Sequence, residues 1–134
     1  ADGGPWRRLC ALPALWVGLM YDQGALDAAW GLVKGWDAET REAWRGAAGD
    51  NGLQGVVGGK SMHDLAAQVL EIAREGLKAR ARPALCGIEQ DERYFLHALE
   101  ESVETGMTPA DELLAHYNGD WHGDLDKIYD AFSY

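Results

Sequence analysis

Cysteine is nearly absent from this chain. There are two, Cys10 and Cys86, in 134 residues, too few for the disulfide framework of a small secreted domain. That scarcity points to thiols kept reduced, and the expected location is the cytoplasm. Basic residues are also few. Lys and Arg number 12 against 22 Asp and Glu, a formal net charge of −10. Nucleic-acid binding through a basic face is therefore disfavoured, as is adhesion to an anionic membrane. The acid is spread over several expected helices, which reads as a solvated outer face. No alternating apolar–polar run marks a strand, and Val56-Val57 is too short to count. No repeat recurs at solenoid periods. Long apolar runs are missing too. The stretch from Leu9 to Met20 falls short of the about 20 residues a membrane-spanning helix needs. With Arg7 and Arg8 ahead of it, it imitates a secretory signal, but Asp2 precedes the Arg pair and Pro13 interrupts the run. A buried helix is expected there, with no signal-peptide or membrane role.

What is present is apolar and helical in pattern. Hydrophobic residues make up 47%, with six Trp; that is enough for a core and argues against wholesale disorder. Leu9, Leu12, Leu15, Trp16 and Leu19 recur at helical steps and predict one buried face. Pro13 either begins that helix proper or kinks it. Asp22 predicts an N-cap for a helix from about Gln23 to Lys34, with Leu26, Trp30 and Val33 on its packing side and Gly35 at its end. Asp37 predicts the cap of a short third helix, with Glu39 in the first turn, where the dipole favours negative charge. Residues Gly46 to Lys60 hold six Gly and read as a loop.

Ser61 with Asp64 predicts the start of the clearest helix, with Leu65, Val69, Ile72, Ala73 and Leu77 as its stripe and Pro83 as its stop. A helix from about Asp91 to Thr105 is expected to bury Phe95, Leu99 and Val103 and to end at Gly106 with positive φ. Thr108-Pro109 predicts another helix start, with Asp111 and Glu112 in its first turn and Leu113, Leu114 and Tyr117 on its packing face. Asn118-Gly119 is a turn signal, and a last helix is expected from about Leu125 to Phe132. The organisation read from this pattern is one helical segment, 1–134, divided into helices over 1–45, a Gly-rich loop over 46–60 and C-terminal helices over 61–134.

Few residues suggest chemistry. The Asp2-Gly3-Gly4-Pro5 turn lets backbone approach a ligand closely, but it is neither a Walker loop nor a dinucleotide fingerprint. The tail, with His116, Asn118, Asp120, His122, Asp124 and Asp126, imitates a calcium loop. It carries Tyr129 where a bidentate Glu is required, and no third strong ligand supports zinc. A polar turn capping the last helix through Asp124 is the favoured reading, and no metal site is expected. His63 and His97 have no catalytic partner in the sequence and read as core or boundary histidines. Trp16, Trp30, Trp36, Trp44 and Trp121 fall at packing spacings and are expected in the core. Arg8 reads as a salt-bridging surface residue, and Cys10 as a buried small hydrophobe.

The segment ADGGPWRRLCALPALWVGLMYD resembles the one that closes the catalytic half of plant-type and proteobacterial glutamate–cysteine ligases. The similarity continues through LDAAWGLVKGWDAETREAWR, DLAAQVLEIAREGLKAR and TPADELLAHYNGDW to Tyr134. Residues 81–90, with Cys86, match poorly. The resemblance implies a mainly α segment from the C-terminal part of a glutamine-synthetase-like α+β fold, whose sheet lies largely outside this chain. It implies ATP-dependent joining of glutamate and cysteine, with ATP and Mg2+ used by the whole enzyme and no cofactor expected on this chain alone. It places Asp2, Trp6 and Arg7 beside the glutamate substrate, and it makes Cys10 a candidate redox residue, since plant members resemble disulfide-controlled enzymes. The expected partner is the N-terminal catalytic portion of the same enzyme, and the isolated chain is expected to be inactive. The alternative is a non-enzymatic acidic helical interaction module.

Overall fold

Polar caps punctuate the chain where it reverses. The computed structural model describes residues 6–81 and 92–132. Helix α1 spans Trp6–Met20 and continues through Pro13, so the proline neither begins nor ends it. In α2, Gln23–Val33, the Asp22 carboxylate accepts from the Ala25 amide at 2.9 Å. In α3, Ala38–Asn51, Asp37 accepts from Thr40 N at 2.7 Å. In α4, Met62–Arg80, the Ser61 hydroxyl accepts from Asp64 N at 3.3 Å. Each bond satisfies a backbone donor that the first helical turn leaves without a partner. A 3₁₀ segment, Glu92–Leu96, leads into α5, His97–Thr105, which ends on Gly106 at φ 68°. Helices α6, Pro109–Asn118, and α7, Asp126–Phe132, close the described chain.

The stretch expected as a loop from Gly46 to Lys60 is largely structured. Helix α3 continues across Gly46 and Gly49 to Asn51. Each Gly costs about 1 kcal/mol of helix propensity, while the buried Trp44, stacked on Trp36 at 5.5 Å, anchors the helix. A 3₁₀ turn, Gly52–Gln54, follows. Strands β1, Val56–Val57, and β2, Lys60–Ser61, then pair antiparallel. Gly58 and Gly59, at φ 57° and 78°, make the turn between them, the left-handed pair a two-residue hairpin requires.

The core lies where α1 crosses α4. Gly18 and Gly76 put the two backbones in direct contact: a Cβ on Gly18 would strike the Ala73 carbonyl, and one on Gly76 would strike the Gly18 carbonyl and Ala25. Ala14, Leu19, Leu70, Ala73, Leu77 and Leu96 form the buried cluster. Three residues expected on buried faces, Trp16, Trp30 and Phe95, are turned outward, while Leu15, Leu19, Leu99 and Val103 lie in or against the core as expected. On α1 the buried side is Ala11, Ala14, Gly18 and Leu19, and Trp16 is 54% exposed. On α2 it is Ala25 that packs, and Trp30 is 63% exposed. In both helices small residues win the interface because only they admit close backbone approach. Ahead of α5, Leu96 is fully buried and Phe95 is 40% exposed. A 3₁₀ segment winds three residues per turn, so a 3.6-residue pattern extended back from Leu99 selects the wrong neighbour.

Helix α6 is closed by a reciprocal cap. Thr108 N donates to Asp111 Oδ2 at 2.7 Å, and Asp111 N donates to Thr108 Oγ1 at 3.2 Å. Bonds from the Thr108 side chain and backbone hold the Asp111 carboxyl below its ordinary value of 3.8. Bonds from Thr40 do the same for Asp37. A carboxylate with a depressed folded-state pKa adds stability above its unfolded value, and that stability disappears as pH falls through the folded value. The melting temperature should therefore decline below about pH 4. Thr108→Ala should lower Tm by about 4 °C at pH 7 and flatten the acid slope. Circular-dichroism melts between pH 2 and 7 measure both, and an unchanged slope in the variant would refute the assignment to this cap.

Candidate functional site

The residues singled out near the N-terminus meet different fates. Asp2 lies outside the described residues. Trp6 and Arg7 occupy the first turn of α1. Arg8, next along, is not a surface residue: its side chain is 16% exposed, and its Nη2 donates to Glu112 Oε2 of α6 at 2.6 Å. The two residues are 104 positions apart, a pairing that helical periodicity could not reveal. Cys10 is half-buried with a free thiol.

Beside this ion pair opens a cavity of about 660 Å³ between α1, the end of α3, α4, α5 and α6. Leu12, Leu15, Val69, Leu99, Val103 and Leu114 line it, with Arg8 and Asp111 among the polar residues. Two long-range bonds fix the segment leading to α6. The Gln54 amide donates to the Gly106 carbonyl at 3.1 Å, and His63 Nε2 lies 2.8 Å from the Val103 carbonyl. Thr108 packs where Gly52 has no side chain; a Cβ there would lie 3.0 Å from Thr108 Cγ2.

Polar groups elsewhere serve the fold. The Ser102 hydroxyl donates to the Ala98 carbonyl, and Ser61 caps α4. His97, expected as a core or boundary histidine, is 63% exposed and sits beside Glu100 and the edge of Tyr94. It opens α5 on the side away from Leu96 and Ala98, which take the buried positions. In the tail, His116 stacks on Trp121 at 5.3 Å, and Asp124 Oδ1 accepts from Asp126 N at 3.0 Å. Among the described residues, no three of His, Cys, Asp and Glu converge on a point that could hold a metal ion, and no helix is long and apolar enough to cross a membrane. Of the Trp residues expected in the core, Trp44 is buried, while Trp16 and Trp30 face outward.

The described residues thus define a helical scaffold in which a part-buried ion pair ties α1 to α6. Glutamate–cysteine ligase family 2 matches residues 1–131. The chain is 41% identical to the chloroplastic glutamate–cysteine ligase of Arabidopsis thaliana over all 134 of its residues, which cover 24% of that relative. It is 41% identical to the Medicago truncatula enzyme, covering 25% of it. It is 36% identical to chloroplastic glutamate–cysteine ligase A of Oryza sativa subsp. indica, covering 26%. The chain belongs to glutamate–cysteine ligase family 2, and it spans about a quarter of the length of these curated relatives. All of these relatives are named chloroplastic, which overturns the cytoplasmic expectation. A low cysteine count argues against a disulfide scaffold; it does not choose between compartments that keep thiols reduced.

Proposed function

We propose that this chain is the C-terminal helical part of a glutamate–cysteine ligase. The enzyme would join the side-chain carboxylate of glutamate to the amine of cysteine, converting ATP to ADP and phosphate and yielding γ-glutamylcysteine. The observation that carries this reading is identity of 41% along the entire chain to an enzyme about four times as long. The described residues do not fit a nucleotide–magnesium site. Their main cavity is lined largely by aliphatic side chains, and no carboxylate cluster converges. ATP and Mg2+ are therefore assigned to the N-terminal portion, together with most of the substrate contacts. This chain's own share would be Asp2, Trp6 and Arg7, the residues that the family resemblance sets beside the glutamate.

The outward-facing large hydrophobic residues support a buttress role. Trp16, Met20 and Tyr21 at the end of α1, and Trp30 on α2, are all more than half exposed. Such surface is costly to leave in water and marks a face to be covered. An acidic helical interaction module would use the same face, so activity has to decide between the two readings. The isolated chain, given ATP, Mg2+, glutamate and cysteine, should form no γ-glutamylcysteine. Co-expression with the N-terminal portion should restore turnover. Robust turnover by the chain alone would overturn the division of labour, and failure of the combined chains to turn over would favour the module.

A further inference from the structure

The ion pair between α1 and α6 is built as a brace. Arg8 lies in the first turn of α1, directly after Trp6 and Arg7. Consecutive helical residues are fixed at about 100° to one another, so a bond that draws the Arg8 side chain toward α6 biases the rotation of the turn that carries Trp6 and Arg7. On the far side, Glu112 stands in the first turn of α6, which the Thr108–Asp111 cap makes rigid. That turn is itself seated on Gly52 and tied through Gly106 to Gln54. Packing on α4 sets the roll of α1 through Ala11, Ala14, Gly18 and Leu19, while toward α6 the first turn faces the aliphatic cavity. The charge-assisted bond spans that gap, with the Arg8 side chain 16% and the Glu112 side chain 38% exposed.

Resting on the reading that the start of α1 adjoins the glutamate, we propose that Glu112 is a positioning residue of the glutamate subsite. It acts through Arg8, biasing the rotation of the α1 first turn from a helix more than a hundred residues away in sequence. It touches no reacting atom. Its loss would misplace the turn by a fraction of an ångström to an ångström, which weakens substrate alignment without removing any contact group.

The test is kinetic and uses the complete enzyme. Glu112→Gln should raise the KM for glutamate by about three- to tenfold, leaving the KM values for ATP and cysteine unchanged. The exchange Arg8→Glu with Glu112→Arg should restore the glutamate KM toward that of the parent. A glutamate KM that does not move in Glu112→Gln, or an exchange variant that recovers Tm but not KM, would overturn the proposal and leave the pair a structural contact. Arg7→Ala separates this proposal from the reading it rests on. If Arg7→Ala raises the glutamate KM and Glu112→Gln does not, the brace is wrong and the subsite stands. If neither moves it, both are wrong.

Discussion

Gly76→Ala is expected to destabilise the chain by about 3 kcal/mol, lowering Tm by roughly 10 °C. The added methyl would enter space already held by the Gly18 carbonyl and the Ala25 Cβ. Neither can yield cheaply: one is helix backbone, and the other is a side chain with no rotamers. Accommodating the methyl requires α1 and α4 to part, which loosens the contacts of Ala14, Leu19, Ala73 and Leu77 together. Gly31→Ala provides the opposite case. It also lies inside a helix, α2, but nothing stands within 4 Å of the position a Cβ would take. There the substitution should stabilise by about 0.5–1 kcal/mol, through the lower entropy of the unfolded chain and the better helix propensity of Ala. Thermal and urea unfolding of the two variants measures the contrast. A Gly76→Ala protein as stable as the parent would mean that the two helices do not meet through their backbones.

Leu96→Ala carries the second large effect, a loss of about 3 kcal/mol. Leu96 is fully buried at the junction of the 3₁₀ segment and α5, inside the cluster that joins α1 to α4. Truncation removes its transfer free energy and leaves a cavity whose walls belong to separate helices and cannot close independently. Phe95→Ala removes a larger side chain from the adjacent position, yet 40% of that residue is already in water. Its cost should stay below about 1.5 kcal/mol. The order matters because helical periodicity alone gives the opposite one, placing Phe95 with Leu99 and Val103. Chemical denaturation of the two variants checks it, and a larger loss for Phe95→Ala would show that this segment is wound as an α-helix.

Much of the local structure could be read from single residues. Asp22, Asp37, Ser61 and Thr108 all cap helices where their side chains predicted it. Capping depends on a side-chain oxygen reaching an amide two or three residues on, so the sequence contains both partners. Gly106 adopts the expected left-handed conformation for an equally local reason. The Gly46–Lys60 stretch misled because glycine content was read as a break. Helix α3 tolerates Gly46 and Gly49 once Trp44 is anchored, and Gly58-Gly59 builds a turn between strands too short to show alternation.

The candidate site was less legible. The start of α1 could be named from resemblance, but its brace could not. Nothing in the pattern around Arg8 announces a carboxylate 104 positions away, and Glu112 read only as a favourable charge in the first turn of a helix.

By itself, then, the sequence determined the helical class, the cap positions and the acidic surface, since each follows from interactions within a few residues of one another. Tertiary structure decided which side of each helix is buried, which Trp residues face outward, and where Arg8 finds its partner. The physical reason is that burial is settled by distance between backbones. At the crossing of α1 and α4 two glycines allow an approach that no larger side chain could match, and that approach turns Trp16 and Trp30 toward the surface.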